Sequence, residues 1–471
     1  DYNFSNKSVT KIDADNKTIH VLEDSGNPIR GYRSKRWKIF NLMEEIDIPG
    51  EYYIDYDSAK LYFFPPDVIT DKTLEISLLE TPIMNFAEAD NITFQGIEFC
   101  QTRSSAVTLK DIDNIDFIDC TFKDIGYDAI NTSATQKAVT AAATWQAQSK
   151  NGAYNMDIKG CFFENIGCRA ILTNGAGDID TLTSSNIVIE DCYITRTAQK
   201  AFWDAIWMYG CGVTVRNCII SNIPHQAIRL YGVDLTVEYN DIHDVIREDD
   251  DAAAVYGGQN ELLRNWNVKY NYIHDVVSIQ QMQYNATLGL YFDDGELGNT
   301  GMYNIFRNMR IGYNSNQAAD TLVQYNTFID ITKPISTHGA DRLSGDIVTQ
   351  YKLHPTLEDL HNDIYDPELY YERFPNLKEV VNKGTNPLKF TKYSDNLMVD
   401  CGQSVYEPQY VKYGDMSNNV ELQGKDIFVD PEKQDYRLKA DTDIAKHNPN
   451  LLNENNFDIE KIGLKSNDLV C

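Results

Sequence analysis

Basic residues are scarce: 42 Lys and Arg stand against 70 Asp and Glu, a formal net charge of −28 over 471 residues. A nucleic-acid partner needs a cationic footprint to displace phosphate counterions, so DNA and RNA are excluded as partners. Heparin- or alginate-like polyanions meet the same repulsion. No run of 18 apolar residues exists, so no membrane-spanning helix is expected. The nine cysteines include no C-x-x-C pair and no His at ligand spacing, which argues against a metal site, and an odd count argues against a full disulfide framework. The chain opens at Asp1 with neither Met nor a signal peptide. That start reads as a processed product or an excised portion, and a secreted or cell-surface location is expected.

What is abundant is tyrosine, 29 residues against 5 tryptophans, and such surfaces suit ligands that offer both an apolar face and hydroxyls, as sugars do. The main organisational signal is a repeat. Segments beginning at Asn91, Asn114, Met156, Ile187, Val213, Leu235, Trp266 and Thr321 each alternate apolar and polar residues, reach a small polar residue, and resume with an apolar one. The small polar residues are Gly96, Asp119, Gly160, Asp191, Asn217, Asn240, Asn271 and Asn326, with a base interval of 22 or 23 residues stretched by insertions. One motif at a recurring register predicts a right-handed parallel β-helix, an all-β solenoid with loop insertions; a β-sandwich would not repeat in this way. Asn or Asp at the bend has a physical reason, because it tolerates left-handed backbone. Cys120, Cys161, Cys192 and Cys218 share one place in the repeat and are expected as a buried thiol ladder.

Four regions follow. Residues 1–85 form a non-repetitive β segment packed on the solenoid, with a hairpin between Gly50 and Pro66. Residues 86–351 hold the coils and a cleft. Residues 352–385 show helical periodicity and read as a helical insertion, and residues 386–471 close the solenoid. Residues 131–155 make a polar loop whose Trp145 could overhang the cleft.

Carboxylates concentrate in two stretches, Asp244 with Asp249–Asp251, and Asp293–Asp294 with Glu296, about two coils on. Each adjoins an apolar strand, and two carboxylates flanking a bond are the minimum equipment of glycoside hydrolysis. Dense like charge is expected to raise the pKa of at least one member. Solvated turns and a Ca²⁺ site are the competing readings. Trp203, Trp207 and Asp204 lie on one strand region, where one Trp is expected inside and one outside. His225 starts the corresponding strand one coil later, with Arg229 and Tyr256 as further candidates on the same face.

The string from Trp37 to Pro66 and the runs NDIHDV, DAAAVY, NYIHDV, LGLYFDDG and QYNTF resemble bacterial β-helix carbohydrate-active proteins over residues 30–335 and again at DPEKQDYRLKAD. The chain is most similar to glycoside hydrolase family 136, the lacto-N-biosidases of gut bacteria, whose catalytic aspartates are seven positions apart, as Asp244 and Asp251 are. The resemblance implies a retaining hydrolase that releases lacto-N-biose from lacto-N-tetraose-type milk oligosaccharides, without a cofactor. It also implies a helical chaperone-like partner, sometimes a separate subunit, capping the N-terminal end. The second resemblance, to family 141 with fucosidase and xylanase-like activities, pairs Asp251 with Asp293 or Asp294. A polysaccharide lyase would want Lys269 or Arg264 beside Ca²⁺, and a non-catalytic binding solenoid is the remaining alternative.

Overall fold

The computed structural model describes residues 8–22, 39–133, 152–200, 203–258, 263–279, 286–339, 366–380, 387–448, 451 and 459–465. Two compact units divide the chain, Lys7–Leu78 and a solenoid from Leu79 onward, so the boundary falls seven residues before the expected one. The first unit holds two antiparallel hairpins, Val9–Asp13 with Thr18–Val21 and Tyr52–Asp55 with Lys60–Phe63. The second is the hairpin read from the sequence. None of this unit's described residues is buried.

The solenoid is a parallel β-helix; strand makes up 48% of the structure and helix 9%. Each coil contributes one strand to each of three parallel sheets. Sheet A runs from Asp90–Gln95 to Leu322–Gln324. Sheet B runs from Glu98–Thr102 to Val420–Leu422. Sheet C runs from Met84–Ala87 through Ile206–Cys211, Ile228–Val233, Ala252–Gly258 and Thr287–Asp293 to the far half of Thr327–His338. Inward residues stack coil upon coil, as in Phe99–Phe122–Phe163, with ring centroids 4.8 and 4.9 Å apart. That spacing is the distance between hydrogen-bonded strands.

The corner between sheets A and B corrects the register read from the sequence. Asp119, Gly160, Asp191 and Asn217 are the left-handed bend residues, and the four cysteines follow them as an inward ladder. In later coils the left-handed position is Tyr239, Tyr270, Tyr303 and Tyr325, with φ of 56–59°. Asn240, Asn271 and Asn326 therefore occupy the cysteine position, one residue further on. They are equivalent to one another, as expected, but as an internal ladder. The backbone N–H of Cys218 donates to the Asn240 side-chain oxygen at 3.0 Å, that of Asn240 to Asn271 at 3.1 Å, and the chain continues through Asn304, Asn326, Asn396 and Asn419. Each ladder amide from Asn240 to Asn396 also donates to a main-chain carbonyl of the preceding coil. A non-glycine residue in left-handed backbone costs about 1–2 kcal/mol. The tyrosines offset it by stacking in parallel, 4.9–5.4 Å apart.

All eight cysteines among the described residues are free thiols. Burial drives the Cys192 thiol far above its ordinary pKa, so the ladder is inert apolar packing. The helical insertion appears as Pro367–Arg373 and Pro375–Val380, and residues 352–365 and Trp145 lie outside the described residues. Tyr370 is buried on the solenoid and its hydroxyl donates to the Ile179 carbonyl, so these helices cover the corner between sheets C and A.

Replacing Asn271 by Ala strips the acceptor from two Asn240 donors in a dry corner, at about 1–3 kcal/mol for each group left unsatisfied. Calorimetry is expected to show Asn271→Ala melting several degrees below wild type, and Tyr270→Phe, which keeps the stack, within about a degree of it. Equal melting temperatures for wild type and Asn271→Ala would contradict the ladder.

Candidate functional site

Sheet C is where the outward residues cease to be generic. Its strands align Ile130, Ile171, Ile206, Ile228 and Val255 inward. One residue earlier stand Ala129, Ala170, Ala205, Ala227 and Ala254, all buried. Flanking that alanine row on the side of the sheet B corner are Asp128, Arg169, Asp204 and Gln226, all buried. On the other side is an outward row, Trp207, Arg229, Tyr256, Tyr291 and Asn314 in successive coils.

This row forms the floor of the site. The Arg169 guanidinium lies 3.9 Å from the Trp203 ring centre and 4.7 Å from that of Trp207. Arg229 lies 5.2 Å from Trp207 and 5.4 Å from Tyr256. Tyr256 and Tyr291 pack edge to face at 5.6 Å. Rings and guanidinium groups thus alternate along the solenoid axis, a favourable cation–π arrangement. Neither Trp203 nor Trp207 is core, against the expectation for one of them. Both are half-buried, and the inward neighbours are Ile206 and Met208. The Arg169 charge is met by Asp128, 3.4 Å away, whose carboxyl is pushed up by burial and held down in part by that arginine.

Carboxylates border the floor on both edges. On the sheet B side, Asp249 Oδ2 lies 2.7 Å from His225 Nδ1, and His225 Nε2 faces Asp204 Oδ1 at 3.9 Å, all three side chains buried. Asp251 follows at the start of Ala252–Gly258, half-buried and in left-handed backbone at φ 56°. The acidic triplet is an insertion. Ile223 pairs with Val245, a step of 22 residues, while Ile228 pairs with Val255, a step of 27, so five extra residues enter between, the triplet among them. On the far edge, Tyr256 donates its hydroxyl to Asp293 at 3.0 Å, and the Asn316 amide donates to Asp293 at 2.9 Å and to Asp294 at 3.0 Å. Burial and then the Asp293 charge drive the Tyr256 and Tyr291 hydroxyls far up, so both stay neutral donors. Gly258 permits this contact: a Cβ there would come within 2.9 Å of the Tyr256 hydroxyl. The two acidic clusters lie in adjacent coils rather than two apart, since Gly258 pairs with Asp293.

Asp244 is elsewhere. It sits on sheet B, its side chain 45% exposed, bonded to His243 at 3.0 Å and Arg247 at 3.3 Å. Its place is a repeat position. Asp124, Asn165, Arg196, Asn222, Asp244, Asp275, Asn308, Asp330 and Asp400 all hold left-handed backbone, φ 49–56°, near the end of a sheet B strand. The backbone therefore accounts for an Asx side chain there. The corner stands between Asp244 on sheet B and Asp251 at the start of sheet C, and the Glu248 N–H bonds back to Pro224 of the preceding coil. Arg264 is buried against Asp320 at 3.1 Å, and Lys269 pairs with Glu238 on sheet A, so neither base named for a lyase faces the floor. Arg169, Gln226 and Tyr291 were not singled out from the sequence. Aligning the strings DAI, RAI, DAI and QAI would have found the first two.

No family model matches the chain, and no curated protein matches it. Among solved structures, one titled "Glycoside hydrolase" superposes with a TM-score of 0.43 at 17% identity, covering 62% of this chain and 57% of that one. "The complex structure of XylC with xylose" gives a TM-score of 0.27, with 17% identity over 40% of this chain and 36% of that one. PfbA, a surface adhesin of Streptococcus pneumoniae, gives 0.28 at 9% identity over 54% and 62%. The matched regions span less than two thirds of each of these chains, and superpositions this loose fix no activity.

The neighbours of Asp244 generate a prediction about stability. On sheet B, His243 stacks on His274 at 4.9 Å, and His274 bonds Asp241 at 3.0 Å and Asp275 at 2.6 Å. Burial works against the charged His274, but the two carboxylates outweigh it and raise its pKa; His274 chiefly, with Asn308 and Arg307, holds Asp275 down at about 2. The histidine's contribution is complete below its unfolded pKa of about 6.5 and fades as pH rises through its higher folded value. The Asp275 contribution is complete above about pH 4 and fades as pH falls toward 2. The melting-temperature gap between wild type and His274→Gln is thus expected to be widest between about pH 4 and 6.5 and to narrow by pH 8. A gap that widens with rising pH would contradict this network.

Proposed function

We propose that the chain is a glycoside hydrolase that binds an oligosaccharide on sheet C, with Asp251 as one of its two reacting carboxylates. The observation that carries this reading is the floor of alternating rings and guanidinium groups with carboxylates on both edges. A sugar needs an apolar platform for its ring face and charged or polar groups at its rim, and hydrolysis needs two carboxyl groups across the scissile bond. Asp251 is favoured because it lies in an insertion, where the repeat does not dictate the residue, and beside the floor.

Release of lacto-N-biose from lacto-N-tetraose-type oligosaccharides belongs to the proposal through the family resemblance. The pairing of Asp244 with Asp251 rests on that resemblance alone, because the repeat and an ion pair account for Asp244. The second reading, a xylosidase or fucosidase type that pairs Asp251 with Asp294, is favoured by Asp293 and Asp294 standing on the same sheet as the rings. A helical subunit capping the N-terminal end is the proposed partner. Its support is the solenoid's first stretch, residues 79–98, where Ile83, Met84, Phe86, Ile92 and Phe94 are all less than fully buried.

Incubation with lacto-N-tetraose, aryl fucosides and aryl xylosides, followed by product separation, tests the activity and selects the substrate. Asp251→Asn is expected to reduce turnover by roughly 10³-fold or more, whereas Asp244→Asn stays within a few-fold of wild type. Binding without any cleavage by wild type would replace the enzyme with a carbohydrate-binding solenoid.

A further inference from the structure

We infer that Asp204 is the second catalytic carboxyl group, the acid that protonates the leaving group, and that hydrolysis inverts the anomeric centre. The inference rests on the proposed glycosidase reading, adds its second residue, and departs from the retaining outcome that the family resemblance implies.

Three observations converge on Asp204. It is 2% exposed, yet its Oδ1 takes no hydrogen bond among the described residues. In the same row Asp128 is matched by Arg169, whereas the one charged partner of Asp204 among the described residues is the His225 ring, 3.9 Å off. Beside it, Gln226 Oε1, Trp207 Nε1 and Arg229 Nε are also buried without hydrogen-bond partners among the described residues. Two acceptors and two donors left open on adjacent strands match the mixed hydroxyls of a sugar, since burying them unpaired costs about 1–3 kcal/mol each. His225, fixed by Asp249 at 2.7 Å, stands in the coil between Asp204 and Asp251. It does not reach the reacting atoms and acts as a positioning residue for Asp204.

The spacing gives the stereochemistry. Asp204 is in register with Gln226 and Ala253, so Asp251 lies two coils on and two residues back along the strand. That is a backbone separation of ~11–12 Å, which leaves the two side chains too far apart for direct displacement. A covalent double displacement needs carboxyl groups ~5–5.5 Å apart, and a single displacement with water between them needs ~6.5–9.5 Å. Asp204 gives its proton to the glycosidic oxygen as the bond from that oxygen to the anomeric carbon breaks. Water attacks the anomeric carbon from the opposite face and passes its proton to Asp251. The water oxygen stays on the released sugar, the leaving group carries the Asp204 proton, and exchange with solvent restores both carboxyls.

The test uses the substrate that wild type cleaves, monitored by proton NMR from the first turnover, together with the 2,4-dinitrophenyl glycoside of the sugar released. The first-formed product is expected to have the opposite anomeric configuration to the substrate. Asp204→Asn is expected to lose ~10²–10⁴-fold in kcat/KM on the oligosaccharide, the range of general acid catalysis, yet stay within about tenfold of wild type on the dinitrophenyl glycoside, which needs no acid. His225→Asn is expected to shift the alkaline limb of the pH dependence of kcat/KM, which reports the acid and which loss of packing alone would not move. Retention of configuration, or an Asp204→Asn variant equally slow on both leaving groups or fully active on both, overturns the inference while the glycosidase reading stands. If Asp204→Asn fails to fold, the product anomer from wild type decides alone. A wild type that cleaves no glycoside overturns both readings together.

Discussion

Stacking of successive coils in fixed register governs everything else in this molecule, and the asparagine ladder between sheets A and B is where that register is held most tightly. From Cys218 to Asn419 each coil's main chain is bonded to the next coil's side-chain amide in a corner closed to water. A buried polar ladder is favourable only when every member is satisfied, so a slip of one residue would strand donors along its whole length. With register held, each sheet becomes a lattice of about 4.8 Å between strands. The outward side chains of Trp207, Arg229, Tyr256 and Tyr291, distant in sequence, then fall in one line without a loop to bring them there.

The repeat also separates structural residues from the rest. Where a position recurs with the same backbone in every coil, as at Asp244 and its eight equivalents, its side chain answers to local conformation. Where the repeat is broken, by the insertion that carries Asp249–Asp251 or by the buried acid Asp204, conformation does not demand the residue, and chemistry is the remaining cause. Sheet C concentrates such breaks. Sheet B is occupied instead by the His243–His274 network and by the closing hairpin, whose Phe428 and Tyr436 pack with Tyr272 and Ile305.

The fold was legible in the sequence because periodicity reports burial directly. The cysteine ladder and the hairpin before Pro65 stand where they were read, and sheet C candidates His225, Asp204, Trp203, Trp207, Arg229 and Tyr256 do come together. The asparagine register was misread by one position because Tyr in left-handed backbone has no sequence signature; only the stacked ring below it explains Tyr239. The spacing of Asp244 and Asp251 does not by itself make a pair, for a related reason. Seven residues of separation carries no information about a corner, and only the bond from Glu248 back to Pro224 tells which way the chain turns. Arg169 and Gln226 were hidden because an outward residue in one coil gains meaning only beside its neighbours above and below.

Ligand chemistry, on this reading, belongs to sheet C between Asp204 and Asp293. A structure of Asp251→Asn with bound substrate tests it most directly. A sugar ring is expected over Trp207, Arg229 and Tyr256, with hydroxyls on Asp204, Gln226 and Trp207 Nε1. A sugar seated on sheet B against Asp244 and Arg247, with sheet C bare, would contradict it.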